Sequence, residues 1–210
     1  MSDKICVIFG AGTEFLDNIE LPEGDKLIIA ADGGLKKLNE LGITPDRVIG
    51  DLDSLEKKPE CSDFTLLPHE KDTTDTFEAV QLGIKAGCNE FHIYGGTGGR
   101  IDHTLANIQL AAQLSQSGRK TFIYGENYII TALTDGVLTL LKRDKGYVSV
   151  FAHSDVCTGV TIRGLFYEVE DVTLKNDFAL GVSNEFIGKD AEISVRKGTL
   201  VVYYETDGKC

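Results

Sequence analysis

The sequence predicts an α/β fold in which an N-terminal parallel-sheet domain precedes a C-terminal antiparallel β-sandwich domain. Up to about residue 125, short apolar runs alternate with segments of helical periodicity, which is typical of a parallel sheet covered by helices. After about residue 130, the helical periodicity stops and short β-prone runs recur between Gly or Asp turns, which is typical of a small sandwich. We therefore predict one domain over residues 1–128 and a second over residues 129–210.

The first domain contains six predicted strands and three predicted helices, an order that is Rossmann-like. Its strands are Ile5–Phe9, Leu27–Ala31, Val48–Ile49, Phe64–Leu67, Phe91–Tyr94 and Thr121–Tyr124. Its helices carry apolar residues at helical spacing, namely Leu35, Leu38 and Leu41, then Phe77, Val80 and Ile84, then Leu105, Ile108 and Ala112. Asp75 followed by Glu78 resembles a capping box, which predicts that the second helix begins just after residues 71–74.

The second domain contains six β-prone runs without helical periodicity. They are Val137–Leu141, Tyr147–Phe151, Val160–Ile162, Phe178–Val182, Glu192–Arg196 and Leu200–Tyr204. The boundary between the domains is expected between Gly125 and Gly136, although no Pro- or Ser-rich linker marks it.

The composition disfavours binding to nucleic acid or membranes. The chain has 210 residues, with 33 acidic against 21 basic ones and a formal net charge of -12, so anionic polymers and lipids are not attracted unspecifically. No apolar run approaches the roughly 20 residues that a membrane-spanning helix needs. The five cysteines form no C-x-x-C pair, which predicts neither a disulfide framework nor a zinc site and favours a cytoplasmic location.

Two carboxylates follow the third predicted strand. Asp51 and Asp53 are two residues apart, so strand periodicity points both side chains the same way. Mg²⁺ takes few protein carboxylates and bridges to substrate phosphates, and ligands of open α/β sheets bind at the carboxyl ends of the strands. The pair therefore favours a magnesium site, with an ordinary acidic turn as the alternative.

A second acidic loop, Lys71-Asp72-Thr73-Thr74-Asp75, precedes the second predicted helix. Helix N-termini favour anions, so Lys71 is expected to meet a phosphate while Asp72 joins the metal. Thr74 and Asp75 have an equally good structural explanation as helix caps.

A glycine-rich loop follows the fifth predicted strand. Four glycines among residues 95–99 let backbone N–H groups approach a polyphosphate, and Arg100 offers a forked cation for phosphate oxygens. No Gly-Lys-Ser/Thr follows, so this is not a Walker A loop. A flexible surface loop is the alternative, and His103 alone is equally explained by capping or packing.

The loop Gly10-Ala11-Gly12, with Asp32 at the end of the next strand, has the spacing of a dinucleotide-binding fingerprint. The match fails because Phe15 takes the place of the third glycine, and because the connection to the next strand leaves little room for a crossover helix. We therefore predict no dinucleotide site, and instead expect Asp32 and Gly33 to form another acidic strand end in the same crevice.

The ordered set of motifs resembles the thiamine pyrophosphokinase (thiamine diphosphokinase) family. The matching segments are Ala31–Gly34, Gly50–Ser54, Lys71–Asp75, Gly95–His103 and Val182–Phe186. The resemblance implies an enzyme that transfers the β,γ-pyrophosphoryl group of ATP to the hydroxyethyl oxygen of thiamine and leaves AMP, with Mg²⁺ as the cofactor. It also implies a thiamine-binding β-sandwich and a homodimer whose active sites lie between the subunits.

The resemblance further implies roles for single residues. Asp51, Asp53 and Asp72 are the implied metal ligands, and Arg100 and Asp102 complete the catalytic set. The implied binding residues are Asp32, Gly33, Ser54, Lys71, Thr74, Asp75, Gly96, Gly98, Gly99 and His103, with Ser183 and Asn184 on the thiamine side. Because the chain has no Trp, stacking on the thiazolium ring must come from Phe or Tyr, with Phe186 as a candidate.

Two other functions remain open from the sequence. A Mg²⁺-dependent nucleotide pyrophosphohydrolase would keep the metal and phosphate site but use water as the acceptor. A non-catalytic nucleotide or thiamine-phosphate sensor would bind without turnover, which the intact array of carboxylates and Arg100 disfavours.

Overall fold

The computed structural model describes residues 4–16, 18–50, 64–66 and 72–206. Within these ranges the N-terminal part contains β1 (Lys4–Phe9), β2 (Lys26–Ala31), α1 (Gly34–Glu40), β3 (Arg47–Gly50), β4 (Phe64–Leu66), α2 (Asp75–Lys85), β5 (Cys88–Tyr94), α3 (Ile101–Gln116) and β6 (Lys120–Tyr124). The C-terminal part contains β7 (Tyr128–Thr134), β8 (Val137–Leu140), β9 (Tyr147–Ala152), β10 (Val156–Arg163), β11 (Val169–Lys175), β12 (Gly181–Glu185), β13 (Ala191–Ser194) and β14 (Thr199–Glu205).

A mixed sheet runs through both parts of the chain in the order β12-β9-β14-β7-β6-β5-β1-β2-β3-β4. The strands from β6 to β4 in this order are parallel to one another, whereas β7, β14, β9 and β12 pair antiparallel. The α/β class and the parallel N-terminal part are thus confirmed.

A smaller antiparallel sheet, ordered β11-β10-β13-β8, packs against the larger one. The expectation of a wholly separate sandwich needs correction, because four strands of the C-terminal part extend the sheet of the N-terminal part. The limits 1–128 and 129–210 remain a prediction. Strands β7 and β11 were not predicted, while the other C-terminal strands lie at or near their predicted positions.

The direction in which the chain builds the parallel sheet changes at β1. From β1 the chain adds β2, β3 and β4 on one side, and it then returns to place β5 and β6 on the other. Loops that leave β1 and β5 therefore diverge, and such a switch point at the carboxyl ends of parallel strands is where α/β sheets form a crevice. No helix occurs among the described residues between β1 and β2, as expected from the failed dinucleotide fingerprint.

Apolar side chains cover both faces of the large sheet. Helices α2 and α3 pack on one face, where Ile8, Ile93 and Val80 are fully buried. Helix α1 and the small sheet pack on the other, where Phe9 and Leu38 are fully buried. Burying each such side chain stabilises the fold by about 1.5–3 kcal/mol, so the strand ends at the crevice rest on a rigid base. In the described part of the chain, no helix combines the length and apolar character needed to cross a bilayer.

Candidate active site

An open cleft of about 360 Å³ lies at the switch point, where β1, β2 and β5 end. Two loops bracket it, which we name the first loop (residues 10–13) and the glycine loop (residues 95–99). The cleft is lined by Ala11, Gly12 and Thr13 of the first loop, by Ala31, Asp32, Asp75 and Thr76, by Gly95, Gly96, Gly98 and Gly99, and by Arg100, His103 and Asn107. Seven of the predicted site residues are therefore together: Asp32, Asp75, Gly96, Gly98, Gly99, Arg100 and His103.

Two carboxylates belong to the cleft. Asp32 follows β2 and adopts a left-handed backbone conformation with φ 51, held by a hydrogen bond from its N–H to the carbonyl of Ile49 at 2.8 Å. A non-glycine residue in this region costs of order 1 kcal/mol and is frequent at functional sites. Asp75 is the first residue of α2. Both side chains place oxygen ligands at the end of the sheet where a cation and a polyphosphate are expected.

Asp72 and Thr74 do not line this cleft. Both line a separate groove of about 410 Å³ between α2 and α3. Thr74 is the N-cap of α2, and its Oγ1 accepts a hydrogen bond from the N–H of Phe77 at 3.2 Å. The cap is therefore Thr74 and not Asp75, and Asp75, one residue later, lines the cleft.

The two loops approach each other closely. The N–H of Gly12 donates to the carbonyl of Gly95 at 2.8 Å, so the β1–β5 pairing continues beyond the strands. A Cβ atom on Gly12 would lie 2.3 Å from the Thr97 carbonyl oxygen, and Gly98 has φ +81 with a Cβ position 2.6 Å from Thr13 Oγ1. Only glycine fits at these two positions. Asn107, buried in α3, donates from Nδ2 to the carbonyl oxygen of Gly96 at 2.8 Å, which turns this carbonyl toward the helix.

Arg100 immediately precedes α3, and its guanidinium forms a forked ion pair with Asp102. Arg100 Nε and Nη2 lie 3.1 and 2.5 Å from the two carboxylate oxygens. The Arg100 hydrogen bonds hold the pKa of Asp102 below its usual range, and Asp102 raises the pKa of Arg100 in return. Asp102 does not line the cleft. His103 is exposed and lines the cleft, so neither packing nor capping accounts for it.

Two family models match this chain, one for the thiamin pyrophosphokinase catalytic domain over residues 20–123 and one for the thiamin pyrophosphokinase vitamin B1 binding domain over residues 137–200. The chain belongs to the thiamin pyrophosphokinase family. A thiamine pyrophosphokinase of Bacillus subtilis (strain 168) is 29% identical over 188 residues, which are 86% of this chain and 88% of the relative.

Solved structures agree with this family over nearly the whole chain. The crystal structure of thiamine pyrophosphokinase from Bacillus subtilis has a TM-score of 0.86 at 27% identity, covering 98% of this chain and 100% of the other. The thiamin pyrophosphokinase from Geobacillus thermodenitrificans has a TM-score of 0.81 at 27% identity, covering 99% of each chain.

In this thiamin pyrophosphokinase, the residues predicted for the thiamine side, Ser183 and Asn184, lie on β12. Asn184 is buried, and its side chain holds the backbone of the same chain: Oδ1 accepts from the N–H groups of Tyr167 and Glu185 at 2.9 Å each, and Nδ2 donates to the Tyr167 carbonyl at 2.7 Å. Ser183 is exposed, with φ 60. Phe186 is a core residue, only 3% exposed, so it does not offer a stacking surface, contrary to the sequence interpretation.

Four predicted residues lie outside the described residues: Asp51, Asp53, Ser54 and Lys71. Among the described ones, no group of three His, Cys, Asp or Glu side chains has the arrangement of a metal site. Gly33 is the N-cap of α1 and is not part of the cleft lining.

The sequence interpretation missed the first loop and Asn107. The Gly-x-Gly pattern after β1 was a usable signal for the former, but Asn107 sits inside a helix without any local motif.

Proposed function

We propose that this chain transfers the pyrophosphoryl group of ATP to thiamine, giving thiamine pyrophosphate and AMP. The observation that carries the proposal is the match of both the catalytic and the vitamin B1 binding domain of one family along a single chain. The cleft at the switch point, with its carboxylates, its glycine loop and Arg100, supports it. A pyrophosphohydrolase is not favoured, because it gives no reason for a vitamin B1 binding domain.

The chemistry of the cleft fits Mg²⁺ bound with the nucleotide. Asp32 and Asp75 supply carboxylate oxygens at the end of the sheet, and Gly50, the last residue before Asp51 in the chain, lies against Asp32. We therefore propose Asp32, Asp75, Asp51 and Asp53 as the carboxylates from which the metal ligands come. Asp72 lines the neighbouring groove, and its part in metal binding stays a prediction from the sequence. When bound, Mg²⁺ supplies charge neutralisation at the phosphate oxygens.

The side chains and loops position the triphosphate. The glycine loop and the first loop carry no bulky side chains where they line the cleft, so a polyphosphate can approach the backbone N–H groups. Arg100, oriented by its forked pair with Asp102, places a permanent positive charge at the cleft. Charge on the β-phosphate and on the departing α-oxygen is thereby stabilised as the thiamine hydroxyl attacks.

The lowered pKa of Asp102 bears on the proton acceptor. A general base works best when its pKa lies near the operating pH, and the Arg100 guanidinium moves Asp102 in the opposite direction. Asp102 also does not line the cleft, so we propose that it orients Arg100 and that a carboxylate of the cleft takes the thiamine hydroxyl proton.

We propose a homodimer with active sites between the subunits, and the position of β12 supports this. Five strand intervals separate β12 from β5 in the large sheet, which is roughly 24 Å at the usual strand spacing. Thiamine on β12 of one chain cannot reach a triphosphate in the cleft of the same chain. We propose that β12 of one subunit faces the cleft of the other, with the apolar groove between α3 and the outer face of β9 and β14 as part of the contact.

Phe166 and Tyr167 are the aromatic residues that we propose for the thiazolium ring. Their rings meet edge to face at 4.8 Å, and their exposed fractions are 61% and 62%. Asn184 fixes the backbone of Tyr167 beside β12. An exposed, oriented aromatic pair can attract a cationic ring, and it replaces Phe186 in this role.

A cytoplasmic location remains a prediction from the cysteine pattern.

The reaction is tested by incubating the protein with ATP, Mg²⁺ and thiamine and separating the nucleotides and thiamine species. We expect AMP and thiamine pyrophosphate in equal amounts. Formation of ADP with thiamine monophosphate, or release of phosphate in the absence of thiamine, would contradict the proposed transfer.

The shared active site is tested by mixing two inactive variants, Asp75→Asn in the cleft and Ser183→Arg on β12. If each site combines two subunits, random exchange makes half of the dimers mixed. Each mixed dimer has one site that carries both substitutions and one site that carries neither, so about a quarter of the wild-type activity returns. The unmixed variants are the controls. Mixtures that stay inactive after verified subunit exchange rule out sites formed between subunits.

A further inference from the structure

A hydrogen-bonded pair, Glu14 and Tyr128, lies directly behind the two loops of the cleft. Glu14 follows the first loop, and Tyr128 is the first residue of β7, 114 residues later in the chain. The Tyr128 hydroxyl donates to Glu14 Oε2 at 2.5 Å. The Tyr128 ring packs over Gly125 and against the ring of Tyr203, with 5.1 Å between the two ring centroids. The pair therefore joins the first loop to the antiparallel part of the sheet.

Glu14 also contacts the glycine loop. Its N–H donates to the Thr97 carbonyl at 3.4 Å, and a Cβ atom on Gly98 would lie 2.8 Å from Glu14 Cγ. The Thr97 side chain is buried beside Tyr128. Glu14 is thus in contact with the first loop, the glycine loop and β7 at once, although neither Glu14 nor Tyr128 lines the cleft.

The Tyr128 hydroxyl is a permanent donor in this arrangement. Burial raises the pKa of Tyr128 to about 12, and the neighbouring Glu14 carboxylate adds to the rise. The proton therefore stays on the tyrosine at physiological pH, and the hydroxyl donates to Glu14. A charge-assisted bond of this kind is stronger than one between neutral groups.

We infer that Glu14 and Tyr128 are positioning residues that set the separation of the first loop and the glycine loop, and with it the affinity for the triphosphate of a nucleotide. Beyond the backbone hydrogen bonds Gly10–Tyr94 and Gly12–Gly95, the first loop is held by the long Glu14–Thr97 bond and by the Glu14–Tyr128 bond. Loss of the Glu14–Tyr128 bond lets the two loops separate. The free energy needed to order the loops then reduces the affinity for the nucleotide. The inference rests on the proposed function in taking a nucleotide as the ligand of the cleft.

The experiment compares Tyr128→Phe, Glu14→Ala and Glu14→Gln with the wild type. The dissociation constant for α,β-methylene-ATP with Mg²⁺ is measured by calorimetry, and KM and kcat are measured for both substrates. We expect about a tenfold weaker affinity and a matching rise in the KM for ATP for Tyr128→Phe and Glu14→Ala. The KM for thiamine and kcat stay within about twofold, because the reacting groups are untouched. Glu14→Gln stays close to the wild type, because its amide oxygen can still accept the hydroxyl proton.

Tyr124→Phe is the matched control for lost stability. It removes a buried tyrosine hydroxyl from a hydrogen bond of 2.7 Å to His92 Nδ1 and keeps the ring that stacks on Tyr94. The lost bond joins β5 to β6 and involves neither loop, so nucleotide affinity should not change. The combined Glu14→Ala and Tyr128→Phe variant should be no weaker than either alone, since both remove one bond. An unchanged nucleotide affinity, an equal rise in the KM for thiamine, or an equal loss in Tyr124→Phe overturns the inference. If the wild type binds the nucleotide but makes no thiamine pyrophosphate, the proposed function fails and the affinity comparison still decides the inference.

Discussion

In the cleft between β1 and β5, polar side chains surround an open space, whereas at the edge strand β12 the buried amide of Asn184 holds the backbone of its own chain. Asp75 and Arg100 come from loops or helix starts that follow parallel strands. Asn184 lies within an antiparallel ladder, and the three hydrogen bonds of its side-chain amide all go to neighbouring main-chain groups.

The difference follows from where each segment stands in the sheet. Beyond the end of a parallel strand, the backbone turns into a loop or helix start and leaves side chains directed into the crevice. At a sheet edge next to an irregular segment, unpaired main-chain groups need partners, and a nearby amide supplies them. Polar residues that look equivalent as sequence motifs therefore line the ligand site in the first region and stabilise the fold in the second.

The strongest test of the cleft is the comparison of Asp75→Asn with Asp72→Asn. Asp75 lines the cleft, while Asp72 faces a different groove. We expect kcat to fall on the order of a hundredfold or more for Asp75→Asn, since a carboxylate at the reacting phosphates is lost. Asp72→Asn should change kcat by less than about threefold. Steady-state kinetics decides this once circular dichroism has shown that both variants are folded. A larger fall in kcat for Asp72→Asn than for Asp75→Asn would place Asp72 in the metal site.

A smaller effect is expected from the close approach of the two loops. In Gly12→Ala the new methyl group would lie 2.3 Å from the Thr97 carbonyl oxygen and 2.4 Å from that of Gly95, so the loops must separate. We expect the KM for ATP to rise about tenfold, since loops out of place align the substrate poorly. Gly42→Ala is the control, because nothing lies within 4 Å of its Cβ position, its φ of +68 is the only strain, and it does not line the cleft. Equal kinetics for the two variants would show that loop separation does not limit nucleotide binding.

Local patterns were sufficient to predict about half of the residues that line the cleft. Apolar runs and helical spacing gave the strands of the parallel sheet and all three helices of the described residues. The rule that ligands bind at the carboxyl ends of strands then predicted that Asp32, the glycine loop and Arg100 lie in one crevice. The choice between Asp72 and Asp75 could not be made locally, because it depends on which residue caps α2. Thr74 takes that position, and the difference of a few residues moves a side chain from one groove to another.

Long-range pairing limited the rest of the prediction. The role of Asn184 depends on Tyr167, 17 residues earlier in the chain, and that of Glu14 depends on Tyr128. No periodicity or spacing encodes such contacts. The first loop was set aside because it fails a dinucleotide fingerprint, although that test says nothing about whether the loop faces a crevice. Strand β7 joins the large sheet through β6 and β14, so the segment in which the domain boundary was predicted, between Gly125 and Gly136, is itself a strand.

The smallest effect on catalysis is expected at β12, where Asn184→Ala and Ser183→Ala should separate a structural role from a binding role. Truncating Asn184 leaves the N–H and carbonyl of Tyr167 without their partner, which should lower the free energy of unfolding by roughly 1–3 kcal/mol. Ser183 is exposed, and its N–H, not its hydroxyl, bonds to Ser149 Oγ. Ser183→Ala should therefore leave stability unchanged and raise only the KM for thiamine, by a few fold. Urea unfolding and thiamine kinetics on both variants measure the two quantities. A stable Asn184→Ala variant with weakened thiamine binding would mean that the amide contacts the substrate and that β12 uses its polar groups as the cleft does.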